Sequence, residues 1–177
     1  MAYTIINAEA GICPIAQTDA GVTFPNASSA SPTPPNSLGK IVRAVDPTYG
    51  EGEFIFLAGV ASTAVGSVVT YDGTTYATTL IANTANQSRP VAVAMSANTS
   101  SSTYGWYQIS GTAVAKKTTV AIAPKVSIGI GAAGVLGNTA SGKEILGARS
   151  ANTATVASAT GTINVVINRP HAQGRVT

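Results

Sequence analysis

Few residues in this chain have the types or the spacing that chemistry requires. The one histidine, His171, lies between Pro170 and Ala172 in a tail that also holds Arg169 and Arg175. A Ser-His-Asp relay would have to recruit it from there, and no Gly-x-Ser-x-Gly elbow offers the serine. It reads as an exposed terminal residue. Cys13 is the one cysteine, so neither an intrachain disulfide nor a thiolate metal cluster can form. With no base beside it in sequence, it reads as a small apolar side chain rather than a reactive thiol. Seven carboxylates leave few pairs. Glu51 and Glu53 flank Gly52 and share one face of an extended strand, a spacing compatible with acid/base work or calcium ligation. A calcium loop gathers more oxygen ligands close by in sequence, which favours a solvated strand entrance instead.

Two glycine patterns imitate nucleotide sites. Gly129-Ile-Gly131-Ala-Ala-Gly134 has the G-x-G-x-x-G spacing, but a dinucleotide site needs those glycines to open a helix whose N-terminus holds the pyrophosphate. The following Val-Leu-Gly137-Asn-Thr-Ala-Ser-Gly142 is turn-rich. Gly137 to Lys143 gives G-x-x-x-x-G-K, yet Glu144 stands where a magnesium-binding hydroxyl belongs, and Gly147 interrupts the helix a P-loop demands. Both patterns read as turns between strands. No catalytic residue, cofactor or metal ligand is assigned, and the chain is read as a non-enzyme.

The elements that would position any site are strands. A window of a dozen residues with apolar side chains at i, i+3 and i+4 among good helix formers is absent. From Arg89 to Gly111, Val91, Val93 and Met95 alternate with alanines as in a half-buried strand. A polar Asn-Thr-Ser-Ser-Ser-Thr loop follows, then Tyr104-Gly-Trp106-Tyr107-Gln-Ile109. Trp106 is the sole tryptophan, and a single indole in a chain poor in aromatics is expected to anchor a core. Leu38 to Val45 and Glu53 to Leu57 are further strand candidates, the second apolar on both faces. Val65 to Tyr71 and Thr74 to Leu80 flank Asp72-Gly73, whose tolerance of positive φ predicts a tight primed turn. Thr119 to Ile122, Val126 to Ile130, Ile145 to Ala148 and Thr162 to Ile167 complete the series. Even spacing of short strands predicts an all-β fold, a compact barrel or sandwich of short antiparallel strands.

Residues 1–37 differ. Their large apolar side chains follow no period, and Pro25 to Asn36 contains four prolines, which fix φ and remove amide donors. This predicts an extended N-terminal arm with a Pro-rich linker, followed by a body over 38–170 and a tail over 171–177. At 177 residues the chain fits one domain with an appendage. Charged residues make up only 10% of the chain, against roughly 25% in an average soluble protein. A surface so weakly charged suits a protein packed against a partner. The formal net charge is +3, but the ten basic residues are scattered and only Lys116 and Lys117 are adjacent, so direct nucleic-acid binding is not expected. The opening residues have neither a basic flank nor a long apolar stretch, and no run reaches ~18 apolar residues. No signal peptide, membrane span or membrane association is expected, and the sequons at Asn26, Asn86 and Asn98 read as accidental.

The run Leu38-Gly39 through Arg43, Asp46-Pro47, Tyr49-Gly50, Gly52-Glu53-Phe54 and Gly59-Val60-Ala61 resembles the start of the folded part of head-decoration (cement) proteins of tailed bacteriophages, especially short-tailed ones. The resemblance continues through Gly66 to Tyr71, Pro90 to Met95, Tyr104 to Gly111, Gly147-Ala-Arg149 and Ile163 to Pro170. It spans roughly Leu38 to Pro170 and rests on packing and turn residues. It implies a structural virion protein on the outer surface of the expanded capsid, made in the bacterial cytoplasm, that bridges neighbouring major capsid protein subunits. A homo-oligomer is implied, with a trimer favoured over a dimer. On this reading Ile5, Ile6, Ile12, Ile15 and Phe24 of the arm, with Leu38 and Arg43, contact the capsid. Removing Met1 to Pro35 then abolishes capsid binding and leaves the body folded. The alternative is a receptor- or glycan-binding module of a virion fibre, with Tyr104, Trp106 and Tyr107 stacking on sugars and Gln108 orienting hydroxyls.

Overall fold

A computed structural model describes residues 3–6, 12, 14–17 and 33–175. Among them the fold is all-β without a helix, an open antiparallel assembly of eleven strands that does not close into a barrel. The strands are β1 (Thr4–Ile5), β2 (Ile41–Asp46), β3 (Gly50–Ala58), β4 (Val68–Tyr71), β5 (Thr78–Leu80), β6 (Val91–Ala94), β7 (Tyr104–Lys116), β8 (Ser127–Ala132), β9 (Val135–Gly137), β10 (Glu144–Ser150) and β11 (Thr162–Ala172). The main path runs β1-β2-β3-β7-β11-β10-β8-β9, with β6, β4 and β5 branching from β7.

The thirteen-residue β7 is the hub. Its first half is flanked by β3, with Phe56 opposite Trp106, and by β6, with Val93 opposite Gln108; its second half pairs with β11 from Ser110 to Lys116. This geometry explains why β3 is apolar on both faces. Phe54 and Phe56 enter one cluster with Ile15, Val42, Met95 and Trp106, while Ile55 and Leu57 enter another with Val69, Ala92, Ala94 and Tyr107. The expectation for the strand around Val91 and Val93 needs correcting. All four residues of β6 are buried, because Val91 and Val93 join the large cluster beneath β8, β10 and β11 while Ala92 and Ala94 face the opposite way.

Local chemistry decides the turns. After β2, the buried Asp46 accepts backbone N–H bonds from Thr48 and Tyr49 at 2.8 and 3.1 Å, the side-chain-capped turn that aspartate favours. The β4–β5 hairpin forms, but not through a two-residue primed turn. Asp72 instead caps a wider loop, accepting from the backbone N–H groups of Thr74 and Thr75 at 2.8 Å each, and the positive φ falls at Tyr76 (56°) rather than at Gly73. Those bonds hold the Asp72 carboxyl below its ordinary pKa. Thr119 to Ile122 is not a strand. Ile122 makes one bridge, to Val156, and the chain there is tied down by the buried Lys117, whose ammonium donates to the carbonyls of Thr118 and Val120 at 3.0 and 2.8 Å.

The glycines of the G-x-G-x-x-G pattern belong to the β8–β9 hairpin. A Cβ on Gly129 would stand 2.5 Å from the carbonyl oxygen of Asn138, and one on Gly131 2.6 Å from that of Leu136. They are glycines because the returning chain lies against them. Gly137 to Lys143 is the end of β9 and the turn into β10. The final strand also runs on through Pro170 to Ala172 rather than stopping before a tail. The chain bends at Arg169 (φ 43°), after which His171 bridges to Pro90 and the Ala172 N–H donates to the carbonyl of Arg89 at 2.8 Å.

Candidate functional site: an outer-face groove

Trp106 is fully buried, tilted against Phe56 with ring centroids 5.1 Å apart, and Phe56 stacks on Tyr104 at 6.2 Å. Tyr107 and Gln108 are also fully enclosed. The sugar platform expected of Tyr104, Trp106 and Tyr107 is therefore not on the surface, because alternate residues of β7 face two different core clusters and both faces are covered. Asn98 is buried as well, its amide donating to the Tyr107 hydroxyl at 3.0 Å, which removes it as a glycan acceptor.

The arm residues that the structure describes lie against the body. Ile15 is 2% exposed among Phe54, Phe56, Met95 and Trp106, and Ile5, Ile12 and Leu38 pack around the same cluster half-buried. Tyr3 sets its ring edge-on to Phe54 at 4.8 Å, and its hydroxyl donates to the Thr112 carbonyl at 2.9 Å while accepting from the buried Gln108 amide at 3.3 Å. Sequence reasoning overlooked Tyr3, although an aromatic among isolated isoleucines is the side chain best suited to latch an irregular segment. Of the proposed capsid contacts among the described residues, only Ile6 and Arg43 are strongly exposed, and Ile6 donates its N–H to the carbonyl of Arg43, between the exposed Ile41 and Val45 of β2. Phe24 and Cys13 lie outside the described residues.

The carboxylates do not form an acid/base pair. Glu51 is ion-paired with Arg43, and Glu53 meets Arg169 at 3.1 Å, around a shallow hollow of about 210 Å³ beside Gly52 and Ser110. Each carries its own exposed guanidinium, which leaves no vacant ligand set for a cation and contributes little to stability. No cluster of three or more His, Cys, Asp or Glu is found among the described residues. His171 is exposed on β11, opposite Leu146.

A larger concavity lies elsewhere. Outward-facing Thr112 of β7, Asn164 and Val166 of β11 and Arg149 of β10 floor a hollow of about 560 Å³, walled by Thr48 and Tyr49 of the β2–β3 turn and by Lys125. Through Arg149 and Val166 it continues into a second hollow of about 370 Å³ beside Glu144, Leu146 and Asn168, and through Tyr49 into a third of about 220 Å³ over Val114. Lys125 and Arg149 were not found from sequence, since they are distant in the chain and only the β8–β10–β11 pairing brings them to one trough.

Burial pushes the Tyr107 hydroxyl up to about 12, against the opposing effect of its hydrogen bonds with Thr78 and Asn98. The unfolded chain titrates near the ordinary tyrosine value of about 10, so the folded state holds this proton more tightly. Its contribution is fully present below about pH 10 and is lost as pH rises through about 12, on the order of 3 kcal/mol in all. We expect denaturant midpoints to fall steeply across that window. Tyr107→Phe should flatten part of the slope, leaving the share of Tyr3 and Tyr71, which burial also raises. An unchanged slope in the variant would contradict this assignment.

Comparison with protein-family models, curated proteins and solved structures found no match to this chain.

Proposed function

We propose that this is a structural virion protein that binds the outside of an expanded bacteriophage capsid and stabilises it by bridging neighbouring major capsid subunits. The observation that carries this reading is where the phage-like residues fall. Gly52 to Leu57, Pro90 to Met95, Tyr104 to Gly111 and Ile163 to Pro170 are the segments that build β3, β6, β7 and β11, the hub of the fold. The resemblance thus follows the framework rather than scattered positions. A body whose carboxylates at Glu51 and Glu53 are neutralised locally, with an open trough on one face, agrees with a binding role. A protein that binds the mature lattice and not its separated subunits stabilises the shell by mass action, and many symmetric copies multiply the effect. A homo-oligomer, trimeric before dimeric, belongs to the same proposal. The fibre-module alternative loses its aromatic platform to the core.

The test is co-sedimentation of the purified protein with empty expanded capsids lacking decoration, beside unexpanded precursors. Saturable binding to the expanded shell alone, with a raised capsid melting temperature, is the expected result. Absence of binding to either particle overturns the proposal.

A further inference from the structure

We infer that the outer trough is a docking groove for an extended, carboxylate-bearing segment of a protein partner, anchored by Lys125 and Arg149. This inference deepens the capsid-binding reading and rests on it for the identity of the partner.

Charge is the first argument. Five of the seven carboxylates belong to described residues, whereas all ten basic residues do. Asp46 and Asp72 cap their own turns, and Glu51 and Glu53 are paired with arginines. Lys125 and Arg149 are both exposed, and among the described residues neither makes an ion pair or a side-chain hydrogen bond. They line one hollow that has no carboxylate in its walls; the fifth described carboxylate, Glu144, lines the adjoining hollow beside Leu146, which confines an acidic group of the occupant to the middle of the trough. Lys125 is moreover held in the left-handed region at φ 58°, a conformation that costs a non-glycine residue of order 1 kcal/mol or more and that is found disproportionately at binding sites.

Shape is the second. The trough is open and elongated, with Tyr49 and Val114 towards one end, the two cations at the middle and Leu146 at the other end. An open channel of this length suits a chain laid across it better than a small molecule enclosed by it. Its floor is the side-chain face of β7, β11 and β10, all of which already have strand neighbours on both sides. The occupant therefore cannot join as an added strand. It must lie on the side chains, placing apolar groups over the half-buried Val114, Val166 and Leu146 and carboxylates beside Lys125 and Arg149.

The same features exclude other occupants. A second copy docking face to face about a twofold axis would set the cations of one trough against those of the other, a like-charge contact that costs affinity. Two cations neutralise too few phosphates for a nucleic acid. An acidic polysaccharide would find Tyr49 as the single aromatic ring on which to stack in the three hollows.

The experiment pairs two readouts on the full chain. Fluorescence anisotropy follows a labelled octapeptide of alternating Glu and Val, with polyglucuronate as competitor, and co-sedimentation follows expanded capsids. Arg149→Glu and Lys125→Glu are compared with Arg175→Glu, an exposed site outside the trough that changes net charge equally. Trp106 emission monitors folding. The expected result is at least tenfold weaker peptide and capsid binding for each trough variant and little change for Arg175→Glu. Equal weakening in all three variants, unchanged peptide binding in the trough variants, or tighter binding of polyglucuronate than of the peptide overturns the groove. Wild-type protein that fails to sediment with capsids overturns the decoration reading alone, and the peptide titration then still decides the groove.

Discussion

Truncation of residues 1–17 is expected to lower the stability of the body markedly and to shift Trp106 emission to the red. The sequence reading expects removal of Met1 to Pro35 to leave the body folded, yet Ile15 is 2% exposed in the same cluster as Phe54, Phe56 and Trp106, and Ile5 and Ile12 pack against that cluster. Replacing Ile15 alone by Ala removes a buried branched side chain and leaves a cavity, which costs about 2–5 kcal/mol depending on how far the site collapses. Truncation removes Ile15 together with the Tyr3 ring on Phe54 and the Tyr3 hydroxyl on Thr112 and Gln108. It exposes the cluster beneath, so its cost should exceed that of Ile15→Ala. Against a typical total stability of about 5–15 kcal/mol, the truncated chain sits near its unfolding limit at 37 °C. Urea denaturation followed by circular dichroism checks both variants. A truncated body as stable as the full chain would show that the arm is not part of the core. The result also bears on capsid binding: a truncated protein that fails to bind has lost stability as well as contacts, so the trough variants, which alter exposed side chains only, separate the two causes.

The parts of the fold legible in sequence are those set by local pattern. Phe54 to Leu57 read as a strand covered on both sides, Trp106 as a core anchor, and Asp72 as the site of a hairpin loop, because burial periodicity and turn chemistry act over a few residues. Three features escaped. Lys117 reads only as the neighbour of Lys116 among scattered basic residues, but it is buried and its ammonium is spent on the carbonyls of Thr118 and Val120. The last strand reads as ending at Ile167, while the bend at Arg169 lets β11 continue through Pro170, a residue without an N–H. The arm shows no period because Tyr3, Ile5, Ile12 and Ile15 each dock against a preformed surface rather than along a regular element of their own. The last two depend on contacts between distant segments, and so does the Lys125–Arg149 trough. The paired glutamates show the converse. Sequence placed Glu51 and Glu53 on one strand face, but the guanidiniums that neutralise them come from β2 and β11, one of them more than a hundred residues away.

Trp106→Ala is expected to be the most damaging single substitution in the body. The indole is fully buried at the point where β3, β6 and β7 meet: Phe56 lies opposite it across the β3–β7 ladder, and its carbonyl accepts the Met95 N–H at 3.1 Å. Removing it deletes the largest buried side chain, and the strands around it are fixed by their own ladders, so the space cannot close by a simple shift. A loss of about 3–5 kcal/mol follows. Trp106→Phe keeps a ring against Phe56 and should recover a substantial part. Wild-type emission should be blue-shifted and insensitive to iodide, and because the alanine variant loses that probe, circular dichroism in urea is the common readout. A loss below about 1 kcal/mol is typical of surface sites rather than core cavities, and would mean that the β7 aromatics are not the anchor of this fold. The strands Trp106 joins are also those on which the proposed phage resemblance rests, so a large loss has a further consequence. The similarity in those segments would then reflect shared packing demands, and the partner-specific chemistry would have to be sought in the side chains above them, at Lys125 and Arg149.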